Sequence, residues 1–108
     1  MLAVVLTACG VLELGGGDHQ AAVLGPPVSF EADRWTVLTE LLATEIAGTS
    51  VIELAFDESQ LACEGGGAFA PTDLELGMRF RFEQRGEVVA GDPPRVTGVD
   101  LEVVCDRP

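Results

Sequence analysis

Apolar and polar residues alternate with a period of two in several short runs of this chain, and those runs set the expected fold. In residues 50–57, "SVIELAFD", Ile52, Leu54 and Phe56 share one face. Such alternation puts one side of an extended chain against a core and the other toward water. In "MRFRFEQRGEVV", Met78, Phe80 and Phe82 point one way and Arg79, Arg81 and Glu83 the other. Gln84-Arg85-Gly86 reads as a hairpin turn into a further strand over 87–90. In "RVTGVDLEVVCD", Val99, Leu101 and Val103 are expected inward and Asp100 and Glu102 outward, with Gly98 marking a bulge.

Other stretches are less regular. In "DRWTVLTELLATEIAG", Trp35, Leu38, Leu42 and Ile46 fall at helical spacing, with Asp33 placed to cap and Gly48 to stop a helix. Three threonines and Val37 favour a strand instead, turned by Ala47-Gly48-Thr49 into the next one. Both readings stand for residues 33–47. "ESQLACEGGGAF" reads as a strand or loop ending in glycines, and "APTDLELG" as a loop or short helix. Five or six short strands punctuated by glycine and proline predict a mainly β domain over residues 29–108, of a size that suits a five- to six-stranded OB-like barrel. Ahead of it, "GVLELGGGDHQAAVLGPP" lacks sustained periodicity and combines a glycine run with a proline pair, so residues 10–28 read as a tether, with Val23 and Leu24 able to pack on the domain.

The N-terminus carries an address. Residues 1–8 are apolar and uncharged, and Leu6-Thr7-Ala8-Cys9 has the form of a bacterial lipobox, small residues before a cysteine that takes a diacylglycerol. A full secretory signal has a basic start and an apolar core of about 7–15 residues. Here the basic start is missing, which points to a start codon upstream of Met1. The rival reading is a buried N-terminal strand. A membrane-spanning helix would need about 20 apolar residues. The other two cysteines, Cys63 and Cys105, are then available to pair with each other, as in exported small domains. Such a bridge would close a loop of about 40 residues, worth roughly 3–4 kcal/mol. Two separate buried thiols are the alternative.

Charge narrows the partners. The 108 residues carry a formal net charge of −12, with 18 acidic side chains against six basic ones. All six are arginine. A nucleic-acid partner would require a basic footprint to neutralise phosphates, so none is expected. Contact with a membrane is expected only through a lipid anchor. An unknown envelope protein or a small ligand remains, with the chain as a monomer.

Few residues suggest chemistry. His19, the single histidine, falls in the tether and reads as solvated. Asp57, Glu58, Glu64 and Asp73 could supply oxygen ligands to a metal, but no calcium-loop spacing is present, and solvated turns are the plainer reading. Gly65-Gly66-Gly67 lacks the lysine of a phosphate loop. Arg79 and Arg81 share one strand face, where they either pair with carboxylates across strands or hold an anion. Trp35 is either core or, on an open barrel face, a stacking platform. These three form a possible ligand face. No nucleophile or acid–base couple stands out, so no enzymatic activity, cofactor or metal is expected.

"LELGMRFRFEQRGEVVAGDPPRVTGVDLEVV" resembles the end of the YobA-like small bacterial lipoproteins of unknown function. Leu74 to Gly77 match the family's step into a strand, Gly86 its turn, and Pro93-Pro94-Arg95-Val96 its proline motif before the last strand. The resemblance implies an OB-like barrel and an envelope location, and implies no catalytic residues. The acidity and the cysteine pair depart from the family's pattern. The expected protein is a lipid-anchored, extracytoplasmic binding module, with an inhibitor or accessory subunit, or an acidic metal-binding protein, as alternatives.

Overall fold

A computed structural model describes residues 17–105, in which seven strands form one sheet and no α-helix occurs. The strands are β1 (Gly17–Val23), β2 (Val28–Glu31), β3 (Arg34–Leu41), β4 (Val51–Asp57), β5 (Leu61–Cys63), β6 (Arg79–Val89) and β7 (Arg95–Val103). Five of them close into a barrel in the order β1-β3-β4-β7-β6 and back to β1. Every barrel neighbour is antiparallel except the β4–β7 pair. That is an OB-like barrel. Its lower end is formed by the start of β1, the β3–β4 loop and the β6–β7 turn. Its upper end is formed by the start of β3 and the segment 58–78.

Residues 33–47 resolve as strand β3 and the loop after it. The helical spacing fails because Leu38 and Leu42 are exposed while Val37, Thr39 and Leu41 are buried. Extended backbone wins because β1, β2 and β4 satisfy the amides of β3 from both edges. The loop ends in a two-residue reversal at Ala47 and Gly48, both at positive φ (54° and 79°), closed by paired bonds between Ile46 and Thr49. Two consecutive left-handed residues are the hairpin turn that matches strand twist.

The expected tether over 10–28 is corrected from Gly17 onward. Residues 17–23 are β1, which pairs with β6 on one edge and β3 on the other and so closes the barrel. Its inward positions are His19, Ala21 and Val23, too weakly apolar a set to show as alternation. Ala21 is nonetheless fully buried, between Phe80 on β6 and Leu41 on β3 in register. A small side chain fits where the sheet closes on itself.

The reading of the C-terminal half also changes in two places. Gly86 does not turn the chain. β6 runs on through eleven residues, and Gly86 (φ 79°) lies in an irregular stretch where the register with β7 shifts between Arg85 and Val89. The reversal comes later, over 90–94. Nor is Gly98 the bulge. The register shift lies between Glu102 and Val99, and Asp100 takes the positive φ of 52°. The extra residue flips the parity of β7, so that Val96, Gly98, Leu101 and Val103 face inward and Val99 does not. Gly98 is glycine for space, since a Cβ there would lie 2.9 Å from Leu54 Cδ1 and 3.0 Å from Phe82 Cδ2.

The interior is apolar, led by Phe56, Phe82, Ile52, Leu54 and Leu101. Between β4 and β6 the chain makes a 3-10 turn at Glu58–Gln60, strand β5 and a second 3-10 turn at Pro71–Asp73. β5 continues the line of β4 along β7, pairing Leu61–Cys63 with Leu101–Val103 in parallel. The disulfide Cys63–Cys105 locks that arrangement at the upper end, as the cysteine count predicts. Cys9 and the expected lipobox lie outside the described residues.

Candidate functional site

The three residues expected to form one ligand face are not together. Trp35 lies on the inward-facing side of β3 at the upper end, half-buried against the core. Its indole N–H donates to Glu58 Oε1 at 3.0 Å. Arg79 and Arg81 stand on the outer wall formed by β1, β6 and β7. They line a shallow cleft of about 200 Å³ with Gln20, Leu42, Glu64 and Val104. Arg81 is hydrogen-bonded to Glu102 across the strands, and this contact raises its pKa further above the ordinary arginine value. Arg79 makes no ion pair within 4 Å among the described residues.

His19 is not a solvated tether residue. Its ring stacks on Phe82 with centroids 5.3 Å apart. Its Nε2 lies 3.1 Å from Gln84 Oε1 and its Nδ1 2.8 Å from Thr44 Oγ1. The neutral tautomer with hydrogen on Nε2 satisfies both, with the Thr44 hydroxyl donating to Nδ1. His19 therefore satisfies the buried Gln84 at the lower end and ties β1 to the β3–β4 loop.

The acidic residues weighed as metal ligands separate. Asp57 caps the first 3-10 turn, its carboxylate accepting from the Ser59 amide at 2.9 Å. That bond, with the Ser59 hydroxyl and the Arg34 charge in support, holds Asp57 below its ordinary value. Glu58 is bonded to Trp35, Glu64 lines the arginine cleft and Asp73 sits in the second 3-10 turn. Among the described residues no three His, Cys, Asp or Glu side chains converge as a metal would require. Residues 65–67 make the exposed bend after β5, with Gly65 and Gly66 at positive φ.

The outer face of β3 and β4 has the features of a contact surface. Three rows cross it in register: Leu38 beside Glu53 and Arg95, Thr36 beside Ala55 and Thr97, and Arg34 beside Asp57. Thr36 and Ala55 point outward yet are buried. Beside them β2 pairs with the edge of β3 and slips register between Ser29 and Glu31, leaving Phe30 as the extra residue. The Phe30 ring has the guanidinium groups of Arg34 and Arg95 each 5.5 Å from its centroid, one from each flanking row. Arg95 is also paired with Glu53 at 3.0 Å. Around this stack Val28 is 57% exposed, Phe30 41% and Leu38 39%.

Sequence reasoning passed over this surface because Val28 and Phe30 fall at the assumed edge of the domain. Their one visible signal was the alternation in "VSFE", four residues long. No family model, curated protein or solved structure matches the chain.

Proposed function

We propose that this chain is a lipid-anchored, extracytoplasmic binding module of the bacterial envelope. It carries a diacylglycerol on Cys9 and meets its partner through the outer face of β2, β3 and β4. The observation that carries the reading is the cysteine arithmetic. Cys63 and Cys105 bond to each other, and the third cysteine is the one in the lipobox pattern Leu6-Thr7-Ala8-Cys9. Protein disulfides persist in oxidising compartments and are rare in the cytosol. A lipoprotein cysteine bears two or three acyl chains, enough for stable attachment where one is not. The resemblance of residues 74–104 to the YobA-like lipoproteins points the same way.

Binding rather than catalysis follows from the character of the surface. Exposed apolar side chains gathered on one sheet face, with guanidinium groups held over an aromatic ring, favour association with another molecule. The intact mass of the protein from its own host, with and without reduction and thiol alkylation, tests the anchor. A diacyl mass on Cys9 and alkylation of Cys63 and Cys105 only after reduction support it. An unmodified chain with three free thiols sinks it. A photo-crosslinking residue at Leu38 tests the face, with Leu76, 74% exposed elsewhere on the barrel, as the reference position. Equal capture at both positions removes the argument for this surface.

A further inference from the structure

A second site lies on the seam between β4 and β7. We infer that the cleft in this seam binds a neutral sugar unit, held by Arg34, Asp57, Gln60 and Thr97. The inference rests neither on the anchor at Cys9 nor on a partner at the Phe30 face.

The seam opens because two strands take turns along β7. β4 keeps parallel register with β7 only from Glu53 beside Arg95 to Ala55 beside Thr97. The next partner of β7 is β5, from Leu61 beside Leu101 onward. Between them the chain leaves β4 through the 3-10 turn at Glu58–Gln60, while β7 passes its left-handed residue Asp100. A cleft of about 320 Å³ occupies the gap, lined by Arg34, Asp57, Ser59, Gln60, Thr97 and Val99. Its volume is at the small end of the range for small-molecule sites, roughly 300–1,000 Å³.

The lining mixes donors and acceptors, and the protein's own bonds hold them in place. Asp57 Oδ1 accepts from the Ser59 amide at 2.9 Å, which leaves Oδ2 as an acceptor. The carboxyl is held below its ordinary pKa by that bond, so it stays an acceptor at neutral pH. Gln60 Oε1 accepts from the Asp100 amide at 3.0 Å. A backbone amide can only donate, so this bond fixes the oxygen end of Gln60 and leaves its nitrogen to donate. The Arg34 guanidinium is steadied by the Phe30 ring, 5.5 Å from the centroid, and by the charge of Asp57. The Thr97 hydroxyl can donate or accept. All four side chains are half-buried, shielded in part from water yet within reach of a ligand.

Neighbouring hydroxyls on a sugar ring present donors and acceptors in a small span, which is what this set complements. The ring's C–H groups would meet Val99, the apolar side chain of the lining. Charge and polarity disfavour the other small ligands. The guanidinium of Arg34 and the carboxylate of Asp57 cancel locally, and the chain carries −12 overall, so an anion is repelled at a distance and gains little on arrival. A hard cation needs several oxygens, and among the described residues no three acidic, histidine or cysteine side chains converge. A wholly apolar ligand would strand the polar groups. A neutral, hydroxyl-rich ring remains.

NMR of the full chain, labelled with nitrogen-15, tests the assignment. The probes are methyl glucoside, methyl galactoside, methyl mannoside and N-acetylglucosamine, each titrated through the millimolar range. At least one is expected to shift the amides of Ser59, Gln60, Gly98 and Val99 and the Arg34 Nε–H together and saturably. Thr97→Val and Gln60→Glu keep side-chain shape and remove one donor each, and both are expected to weaken that probe several-fold. Leu38→Ala, on the Phe30 face, is expected to leave its affinity unchanged. Glucuronate is expected to bind more weakly than methyl glucoside. The absence of saturable shifts at the cleft with every probe overturns the site, as do shifts centred on another wall or an affinity unaltered in both variants. Tighter binding of glucuronate overturns the neutral class. Each of these failures leaves the anchor and the Phe30 face as they stand.

Discussion

Replacing Gly98 by alanine tests the packing of the barrel most directly. The added methyl would sit 2.9 Å from Leu54 Cδ1, 3.0 Å from Phe82 Cδ2 and 3.4 Å from Phe82 Cγ. Carbon atoms in comfortable contact lie about 3.5–4.0 Å apart. Leu54 could move in principle, since the clash is with the end of its side chain. Both neighbours, however, have no exposed surface and are enclosed by other core residues. Overpacking of this kind costs about 1–3 kcal/mol, and the better strand behaviour of alanine returns roughly 0.5–1 kcal/mol. The expected net loss is about 1–2 kcal/mol, or a Tm lower by roughly 5–15 °C for a domain of this size. Urea unfolding of the oxidised protein reads it. Two comparisons isolate the cause. Gly25→Ala meets only Leu38 Cβ at 3.6 Å, an ordinary contact, and is expected to be neutral or to stabilise by about 0.5 kcal/mol. In a Leu54→Ala background the Gly98 methyl has room, so its cost should vanish, giving a coupling on the order of 1 kcal/mol. A Gly98→Ala protein as stable as the parent would refute the claim that this glycine is required for space.

Further outcomes follow from other residues. Ala47→Asn keeps the two-residue reversal and relieves alanine of a left-handed conformation, so thermal melts should show a gain of about 0.5–1 kcal/mol. Removing the disulfide with Cys63→Ser and Cys105→Ser, 42 residues apart, is expected to cost up to about 4 kcal/mol in urea unfolding. An unchanged midpoint would mean the upper end is held by packing alone. Asp57 has a depressed pKa in the folded state, so its contribution is complete above the ordinary carboxylate value and is lost as pH falls through the depressed one. Asp57→Asn should therefore flatten the acid limb of a stability–pH profile, and an unaltered limb would show that the cap at Ser59 does not contribute.

Much of the barrel can be read from one-dimensional pattern. β4 and the first half of β6 alternate large apolar residues with smaller or charged ones, and a strand with one face in a core leaves that trace directly. The disulfide followed from counting once Cys9 was assigned elsewhere. Long-range pairing decided the rest. β1 carries His19, Ala21 and Val23 inward, and nothing in those residues announces a strand until β6 and β3 supply partners on both edges. Gly86 looks like a hairpin turn because positive φ serves a bulge and a turn equally well, and only the register with β7 distinguishes them. The bulge at Asp100 reverses which side chains of β7 face inward, a parity change no local count can detect. The ligand residues separated for the same reason. Trp35 and the two arginines each fit a sheet face, but barrel closure places them on different walls. It brings instead Arg95, distant along the chain, onto Phe30 beside Arg34 of the same β2–β3 hairpin, in one stack. Local alternation is a property of neighbouring residues, whereas register, closure and shared surfaces belong to pairs of strands that meet only in three dimensions.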